Sequence, residues 1–140
     1  MIEVEVAGLE QRRHGSLAAR LRCVCEQLEV ERASVGLRLV SADEMAEVNL
    51  RHRGSPGATD VLAFPIDGPE LRAGEWPEDG PPPELGDVII CPAAAQEELE
   101  TLAVHGLLHL LGYDHDTDGG EMLALQDQLV AAAAEGEGQP

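Results

Sequence analysis

An uncharged segment from Thr101 to Tyr113 constrains the fold of this chain more than any other feature. It reads TLAVHGLLHLLGY and is apolar on every side of a helix except at His105 and His109. A segment that is apolar almost all round predicts a helix buried in the core of a domain. Gly112 follows the last leucine of the segment, at the position where a left-handed glycine commonly ends a helix.

The rest of the chain predicts the strands and helices that would cover this buried helix. Alternating apolar and polar residues indicate strands, and apolar residues three and four apart indicate helices. The predicted strands are Ile2–Val6, Val35–Leu39, Val61–Phe64 and Val88–Cys91. The predicted helices run from Ser16 to Leu28, from the capping box Ser41–Glu44 onward, from Ala93 to Leu111 and from Glu121 to Ala134. This irregular interleaving predicts an α+β fold, a single domain over residues 1–140 with a mixed sheet of about four strands.

Three segments are predicted to lack regular structure. Arg51–Ala58 reads RHRGSPGA and predicts a loop, because turn residues dominate it. Gly68–Gly86 is rich in proline, glycine and acidic residues and predicts a mobile acidic loop within the domain. Glu135–Pro140 is expected to be a frayed tail.

Charge is divided unevenly along the chain, which has nine arginines, no lysine and a net charge of −18. Residues 1–58 hold eight arginines against nine acidic residues, a net charge of −1. Residues 59–140 hold one arginine against 18 acidic residues, a net charge of −17. A polyanionic partner would be repelled by the second part and tolerated by the first. A solubilising surface, or the surface of a salt-adapted protein, would explain the same charge.

Composition excludes a disordered chain and a membrane protein, because 44% of the residues are hydrophobic and 26% are charged. Acidic residues stand near the start of the sequence, where a signal peptide would be basic and then apolar, so we expect a cytoplasmic protein. The three cysteines, Cys23, Cys25 and Cys91, are an odd number. They predict small core residues rather than a disulfide framework or a metal clip.

The histidines of the uncharged segment form part of a pattern with the spacing H-x3-H-x5-H. His105 and His109 lie four residues apart and therefore project from the same face of the helix. His115 follows Gly112, and we expect the reversed chain to bring it back toward the first two. Three neutral imidazoles with an open fourth position are typical of a catalytic zinc site, with one zinc ion per chain.

Two other interpretations of these histidines stay open. A histidine pair on an apolar helix can be hydrogen-bonded core without any metal. Asp114 or Asp116 could supply a fourth ligand and close a structural zinc site. Otherwise these two acids would orient the ring N–H groups of the ligands or be solvated loop charges.

Gly106 separates this pattern from the zinc peptidases. Their motif H-E-x-x-H-x-x-G-x-x-H has the same histidine spacing, but its glutamate is the general base. Glycine stands at that position here. The metal ligands are therefore compatible with peptidases, whereas the proton shuttle for peptide hydrolysis is absent.

Four blocks of the sequence resemble the YbeY family of metal-dependent endoribonucleases. Residues 105–115 read HGLLHLLGYDH, which is similar to the signature of that family over its whole length. Residues 49–54 (NLRHRG), 59–65 (TDVLAFP) and 85–90 (LGDVII) resemble three further family blocks. The blocks follow the family's order, and the resemblance extends from about Val35 to Leu129.

The resemblance implies a zinc-dependent endoribonuclease that cuts single-stranded RNA. It implies roles in ribosomal RNA maturation, including the 3′ end of 16S rRNA, and in ribosome quality control. The implied partners are therefore ribosomal RNA and the ribosome or ribosome-associated proteins, with no membrane. By motif position His105, His109 and His115 bind zinc, and Arg53 is the essential arginine beside the metal. We predict His105 and Arg53 as catalytic residues and Arg51 and Arg53 as substrate-binding residues. A solvated loop would explain Arg51 alone.

The sequence departs from the family pattern in three places. Residues 55–58 contain none of the lysines usual there, Ala63 replaces a serine, and the stretch between Cys91 and His105 is shorter. These changes leave the predicted metal ligands in place. We expect them to affect the affinity for RNA and the range of substrates.

The residue types suggest how such a site would act. A hydroxide bound to zinc would attack the phosphorus while the metal and Arg53 stabilise negative charge. The base could be the hydroxide itself, Asp114 or water, and the nucleophile could be water or the 2′-hydroxyl of the RNA. Two other functions remain as alternatives: a zinc hydrolase of another substrate such as a peptide, and a non-catalytic ribosome assembly factor with a structural zinc.

Overall fold

Four strands form one sheet, in which the fourth strand along the chain lies between the second and the third. The structure, a computed structural model, describes residues 1–114 and 118–137. The strands are β1 (Ile2–Gly8), β2 (Ala33–Leu39), β3 (Val61–Pro65) and β4 (Glu84–Ile90). The helices are α1 (His14–Gln27), α2 (Ala42–Arg53), α3 (Gly68–Arg72), α4 (Leu99–Leu110) and α5 (Glu121–Glu137). Strands β1, β2 and β4 are parallel, and β3 pairs antiparallel with β4 at the edge, which confirms the predicted α+β class and mixed sheet.

The sheet packs helices on both faces, but to different extents. On one face, alternate strand residues such as Val35, Leu37 and Val88 form the main core together with residues of α1, α4 and α5. On the other face, Leu62 and Cys91 form a small cluster with Met45 of α2. This difference follows from the pleat of the strands, which sends successive side chains to opposite faces.

Helix α4 crosses the main face and lies directly on β4. A β-carbon at position 106 would stand 2.5 Å from Val88 Cγ1, so only glycine permits this close approach of helix to strand. Eight of the residues of α4 are buried, as predicted for this segment. The helix begins at Leu99 and not at Ala93, and a 3₁₀ turn at Pro92–Ala94 precedes it. Helices in proteins depend chiefly on packing for their stability. The residues between that turn and Leu99 have few apolar side chains to bury, so they do not extend the helix.

The ends of several other elements also differ from the predictions. Residues 68–72 form a short helix and residues 84–86 belong to β4, so the predicted acidic loop is shorter than Gly68–Gly86. Trp76 Nε1 donates to Pro81 O within this loop, and Arg32 donates to the carbonyl groups of Glu78 and Gly80. Helix α5 continues to Glu137, which includes the first part of the predicted tail. No helix in the described ranges has the length and apolar character that crossing a membrane requires.

The cysteines lie where small core residues would. Cys25 and Cys91 are buried, Cys23 is half-buried, and all three are free thiols. Burial, with a smaller effect of the Glu26 charge, raises the pKa of Cys25 to about 12. A thiol with so high a pKa is not a thiolate at neutral pH, so Cys25 fills space in the core.

Candidate metal centre

One stripe of α4 stays partly open to solvent, and it carries both histidines of the helix. Thr101, His105 and His109 are half-buried and stand four residues apart, whereas their neighbours Val104 and Leu108 are buried. Residues spaced by four lie above one another on the same helix face. The histidines are therefore partly exposed to solvent and are not enclosed within the core.

The two imidazoles converge on a single point. His105 Nε2 and His109 Nε2 are 3.1 Å apart, and the ring planes cross at 74° with centroids 4.7 Å apart. Two nitrogens bound to one tetrahedral zinc ion at about 2.0–2.1 Å lie about 3.3–3.4 Å from each other. The observed separation is close to that value, so this pair fits two ligands of one zinc ion. A direct hydrogen bond between the rings would give the same distance.

The opposite nitrogen of His105 is held by a residue of α5. Gln126 Oε1 lies 2.6 Å from His105 Nδ1, and Gln126 is only 6% exposed. An amide oxygen only accepts hydrogen bonds, so Nδ1 carries the proton in this contact. The Nε2 atom of a neutral His105 then has its lone pair available for a metal ion.

Helix α4 ends in a glycine turn, as the sequence predicts. Gly112 has a φ of 93°, which is left-handed, and its N–H donates to His109 O at 3.0 Å. Tyr113 N–H donates to Leu108 O at 3.1 Å, which completes a Schellman-type cap. The chain therefore turns sharply directly after the histidine pair.

The start of α5 is held by backbone hydrogen bonds to a carboxylate. The Asp118 carboxylate accepts from the backbone N–H groups of Gly120 at 2.8 Å and Met122 at 2.9 Å. Asp114 is exposed, and its backbone carbonyl accepts from Asp118 N at 3.2 Å. His115 and Asp116, the predicted third ligand and the alternative ligand, lie outside the described residues. Within residues 1–114 and 118–137, no three His, Cys, Asp or Glu side chains are grouped so as to hold a metal ion.

The two predicted substrate arginines lie on the last turn of α2, so the prediction of a loop beginning at Arg51 is wrong. Helix α2 continues through Arg53 and ends at Gly54, which has a φ of 69°. Basic residues in a last turn are favoured by the helix dipole, and a left-handed glycine commonly follows them. Arg51 Nη2 bonds Glu47 Oε1 at 3.0 Å, whereas the side chain of Arg53 is exposed and makes no hydrogen bond or ion pair within the described residues.

Asn49 fastens the segment that follows Arg53. Its Nδ2 donates to Gly57 O at 3.0 Å, and the residue is only 4% exposed. Its Oδ1 is buried and has no partner among the described residues. One helical turn further on, the ring of His52 packs edge-on against Phe64 of β3, with centroids 5.2 Å apart. These contacts hold the arginine-bearing turn of α2 against the edge strand of the sheet.

Gln126 and the buried role of Asn49 are absent from the sequence predictions. A signal for Gln126 exists, because Met122, Gln126 and Leu129 form the buried stripe of α5. A polar residue in an otherwise apolar inward stripe requires a partner there. The sequence does not say which residue that partner is.

Comparisons with known proteins agree with one another. A family model described as Endoribonuclease YbeY matches residues 5–134. An Endoribonuclease YbeY of Acidothermus cellulolyticus is 46% identical, over 71% of this chain and 70% of its own length. One of Thermobifida fusca is 40% identical, over 82% of each chain. The solution structure of a Thermotoga maritima protein superposes with a TM-score of 0.62 at 29% identity, covering 95% of this chain and 89% of that one.

Proposed function

The chain belongs to the YbeY family of endoribonucleases, and we propose that it cuts single-stranded RNA in ribosomal RNA processing with a zinc ion held by His105, His109 and His115. The family is metal-dependent and acts on RNA. The observation that carries the zinc assignment is the convergence of His105 Nε2 and His109 Nε2 to 3.1 Å on the one open stripe of a buried helix. The family signature supports His115 as the third ligand.

The proposed ligand set determines what the metal contributes. Zinc bound by three neutral imidazoles keeps its full positive charge and lowers the pKa of a bound water molecule to about 7. His105 and His109 hold their Nε2 atoms toward that position from a helix that the core keeps in place. The left-handed Gly112 ends that helix in a sharp turn, three residues after His109.

Arg53 is proposed to bind the scissile phosphate. Its guanidinium is exposed and has no acidic partner among the described residues, whereas Arg51 is paired with Glu47. A guanidinium offers a planar fork of donors that matches two phosphate oxygens. Arg53 would neutralise the charge that develops on those oxygens, and Arg51 would assist in substrate binding. Asp114, which is exposed and directly precedes His115, is the proposed proton acceptor.

The charge distribution supports an approach of RNA from the side of α2. Residues 1–58 have a net charge of −1, and residues 59–140 have a net charge of −17. Phosphate repulsion by the second part would favour contact at the last turn of α2, which contains Arg51, His52 and Arg53. The proposal includes contact with the ribosome and a cytoplasmic location, where ribosomal RNA is processed.

A peptidase function is disfavoured by the surroundings of Gly106. Its position faces Val88 on β4, where a β-carbon would lie 2.5 Å from a methyl group. A glutamate there would collide with the sheet instead of reaching a water molecule at the metal. The close packing of α4 therefore gives a physical reason for the glycine.

The experiment combines metal content with cleavage of two substrate classes. The purified protein should hold about one zinc ion per chain, measured by atomic emission, and should cut single-stranded RNA but not a peptide library. His109→Ala should reduce zinc to near zero and abolish cleavage. It should also lower Tm, because metal binding is linked to folding.

His14→Ala is the matched control, since His14 bonds the carbonyl of Leu9 and lies on α1. It should keep both zinc and cleavage. Full zinc occupancy in His109→Ala would show that the ligand set is wrong. Zinc binding without any RNA cleavage would instead favour the structural-metal assembly factor.

A further inference from the structure

Gln126 is a buried polar residue in the middle of α5. It stands in the inward stripe of that helix between Met122 and Leu129, and it is 6% exposed. A buried amide is costly unless its polar atoms are bonded, so its partner is expected to matter. That partner is His105, a proposed zinc ligand, and the contact joins Oε1 to Nδ1 at 2.6 Å.

The direction of this hydrogen bond determines the tautomer of His105. The amide oxygen has no proton to give, so the ring must donate from Nδ1. A neutral imidazole has one N–H group, and its other nitrogen, Nε2, then carries the lone pair. Nε2 is the atom that lies 3.1 Å from His109 Nε2. The contact on one side of the ring therefore prepares the other side for a metal ion.

The geometry points to Gln126 as a positioning residue, which holds His105 in the Nδ1–H tautomer and aims Nε2 at the metal. This inference rests on the metal centre of the proposed function. Hydrogen bonds of this kind commonly set the ring orientation and the tautomer of metal-binding histidines. An amide performs this task without adding negative charge. The charge of the metal then remains available for phosphate, in a part of the chain that already carries −17.

The test replaces the acceptor while keeping the size of the side chain. Gln126→Met should weaken zinc binding by about 10- to 100-fold, measured by competition with a chromophoric chelator. Gln126→Glu should restore most of the affinity, because a carboxylate also accepts from Nδ1–H. Gln128→Met makes the same chemical change at an exposed position of α5 and should bind zinc like the wild type.

A spectroscopic measurement separates positioning from mere packing. In the metal-free wild type, ¹⁵N chemical shifts of the imidazole nitrogens should report the Nδ1–H tautomer for His105. Gln126→Met should lose this preference, while Gln126→Glu and Gln128→Met keep it. The wild-type spectrum alone tests the assignment if the methionine variant does not fold.

Three results would overturn the inference. A wild-type His105 in the Nε2–H tautomer contradicts the direction of the hydrogen bond. Wild-type zinc affinity in Gln126→Met removes the positioning role but leaves the metal centre intact. A wild-type protein that binds no zinc overturns the metal centre together with the role of Gln126, so the two failures can be told apart.

Discussion

The C-terminal parts of α4 and α2 both carry proposed site residues, but they are held very differently. On α4, His105 and His109 project from a helix with eight buried residues, and Gln126 bonds one of the rings. On α2, Arg53 is exposed and has no partner among the described residues. The first helix is embedded in the main core, whereas the second covers only a small cluster on the opposite face of the sheet.

This difference matches what the two proposed tasks require. A metal ion needs ligands fixed within a few tenths of an ångström, and such precision comes from packing and from hydrogen bonds to the ligands. A phosphate contact needs a long charged side chain that can reach a substrate from the surface. Changes in α4 are therefore expected to alter stability and metal binding, and changes at Arg53 are expected to alter cleavage alone.

The largest effect that tests this contrast is expected at Arg53. Arg53→Ala should lower RNA cleavage by roughly 10²–10³-fold, which is typical for the loss of one charge contact in the transition state. Zinc content and Tm should stay near the wild-type values, because the side chain is exposed and unpaired among the described residues. Cleavage of a labelled single-stranded RNA, metal analysis and thermal melting provide the three measurements.

Two further variants show whether the effect belongs to Arg53 itself. Arg53→Lys should recover only part of the activity, since an ammonium cannot form the forked contact. Arg51→Ala removes an arginine from the same turn that already bonds Glu47, and should change cleavage much less. Full activity in Arg53→Ala would remove its catalytic role, and a loss of zinc there would show that both helix ends support the metal.

A smaller effect, now on stability, is expected at Gly106. Gly106→Ala places a β-carbon 2.5 Å from Val88 Cγ1 and forces α4 away from β4. Overpacking of this kind costs about 1–3 kcal/mol, and the better helix propensity of alanine offsets about 1 kcal/mol of it. Tm should fall by several degrees in a thermal melt.

The matched control for Gly106 lies on α1. Gly15 is also helical but has no neighbouring atom within 4 Å of the position a β-carbon would take. Gly15→Ala should therefore leave Tm unchanged or raise it. In a Val88→Ala background, Gly106→Ala should cost much less, because the colliding methyl groups are gone. If Gly106→Ala lowers the free energy of unfolding equally in the wild type and in Val88→Ala, the contact with Val88 is not the cause.

The buried helix and the sheet could be predicted because their signals are local. Apolar periodicity, the capping box and Gly112 each depend on residues close in sequence, and Ser41 Oγ accepts from Glu44 N at 3.2 Å as the box requires. The sequence predicts too early a start for α4, because alanine and glutamate favour a helix locally while the packing that stabilises one begins only at Leu99. The turn residues around Gly54 predict a loop that begins at Arg51, whereas in the structure Gly54 is the cap of a helix that includes the two arginines.

The candidate site could be predicted only as far as residue types indicate chemistry. The spacing of His105 and His109 places them on one helix face, and the structure brings their Nε2 atoms together. The contact between Gln126 and His105 joins residues on different helices, and no periodicity in either helix specifies such a pair. The resemblance to a family identified Arg53 without giving its surroundings, which only the packing of α2 determines.

The smallest expected effect compares an ion pair that joins two helices with an ion pair inside one helix. Glu100 of α4 bonds Arg13 at the start of α1, and its side chain is 14% exposed. Glu47 of α2 bonds Arg51, and its side chain is 68% exposed. Exposed ion pairs contribute about 0–1 kcal/mol because water and salt screen them. Glu100→Gln should therefore lower the free energy of unfolding at pH 7 more than Glu47→Gln does.

The pH dependence of unfolding shows whether the charge of Glu100 stabilises the protein. Burial raises the pKa of Glu100, but the hydrogen bond from Arg13, a hydrogen bond from the backbone of Glu100 and the charges of Arg13 and Arg20 outweigh it, so the pKa lies below its usual value. A carboxylate whose pKa is lower in the folded state stabilises the protein above its unfolded pKa, which is about 4.3 for glutamate. That stabilisation is lost as the pH falls through the lower folded value.

Urea unfolding from pH 7 to pH 3 measures this loss. The amount by which Glu100→Gln lowers the free energy of unfolding should shrink in acid, while Glu47→Gln stays close to the wild type throughout. A deficit in Glu100→Gln that is independent of pH would mean that the glutamine disturbs packing between α1 and α4, and that the charge of Glu100 does not anchor the helix.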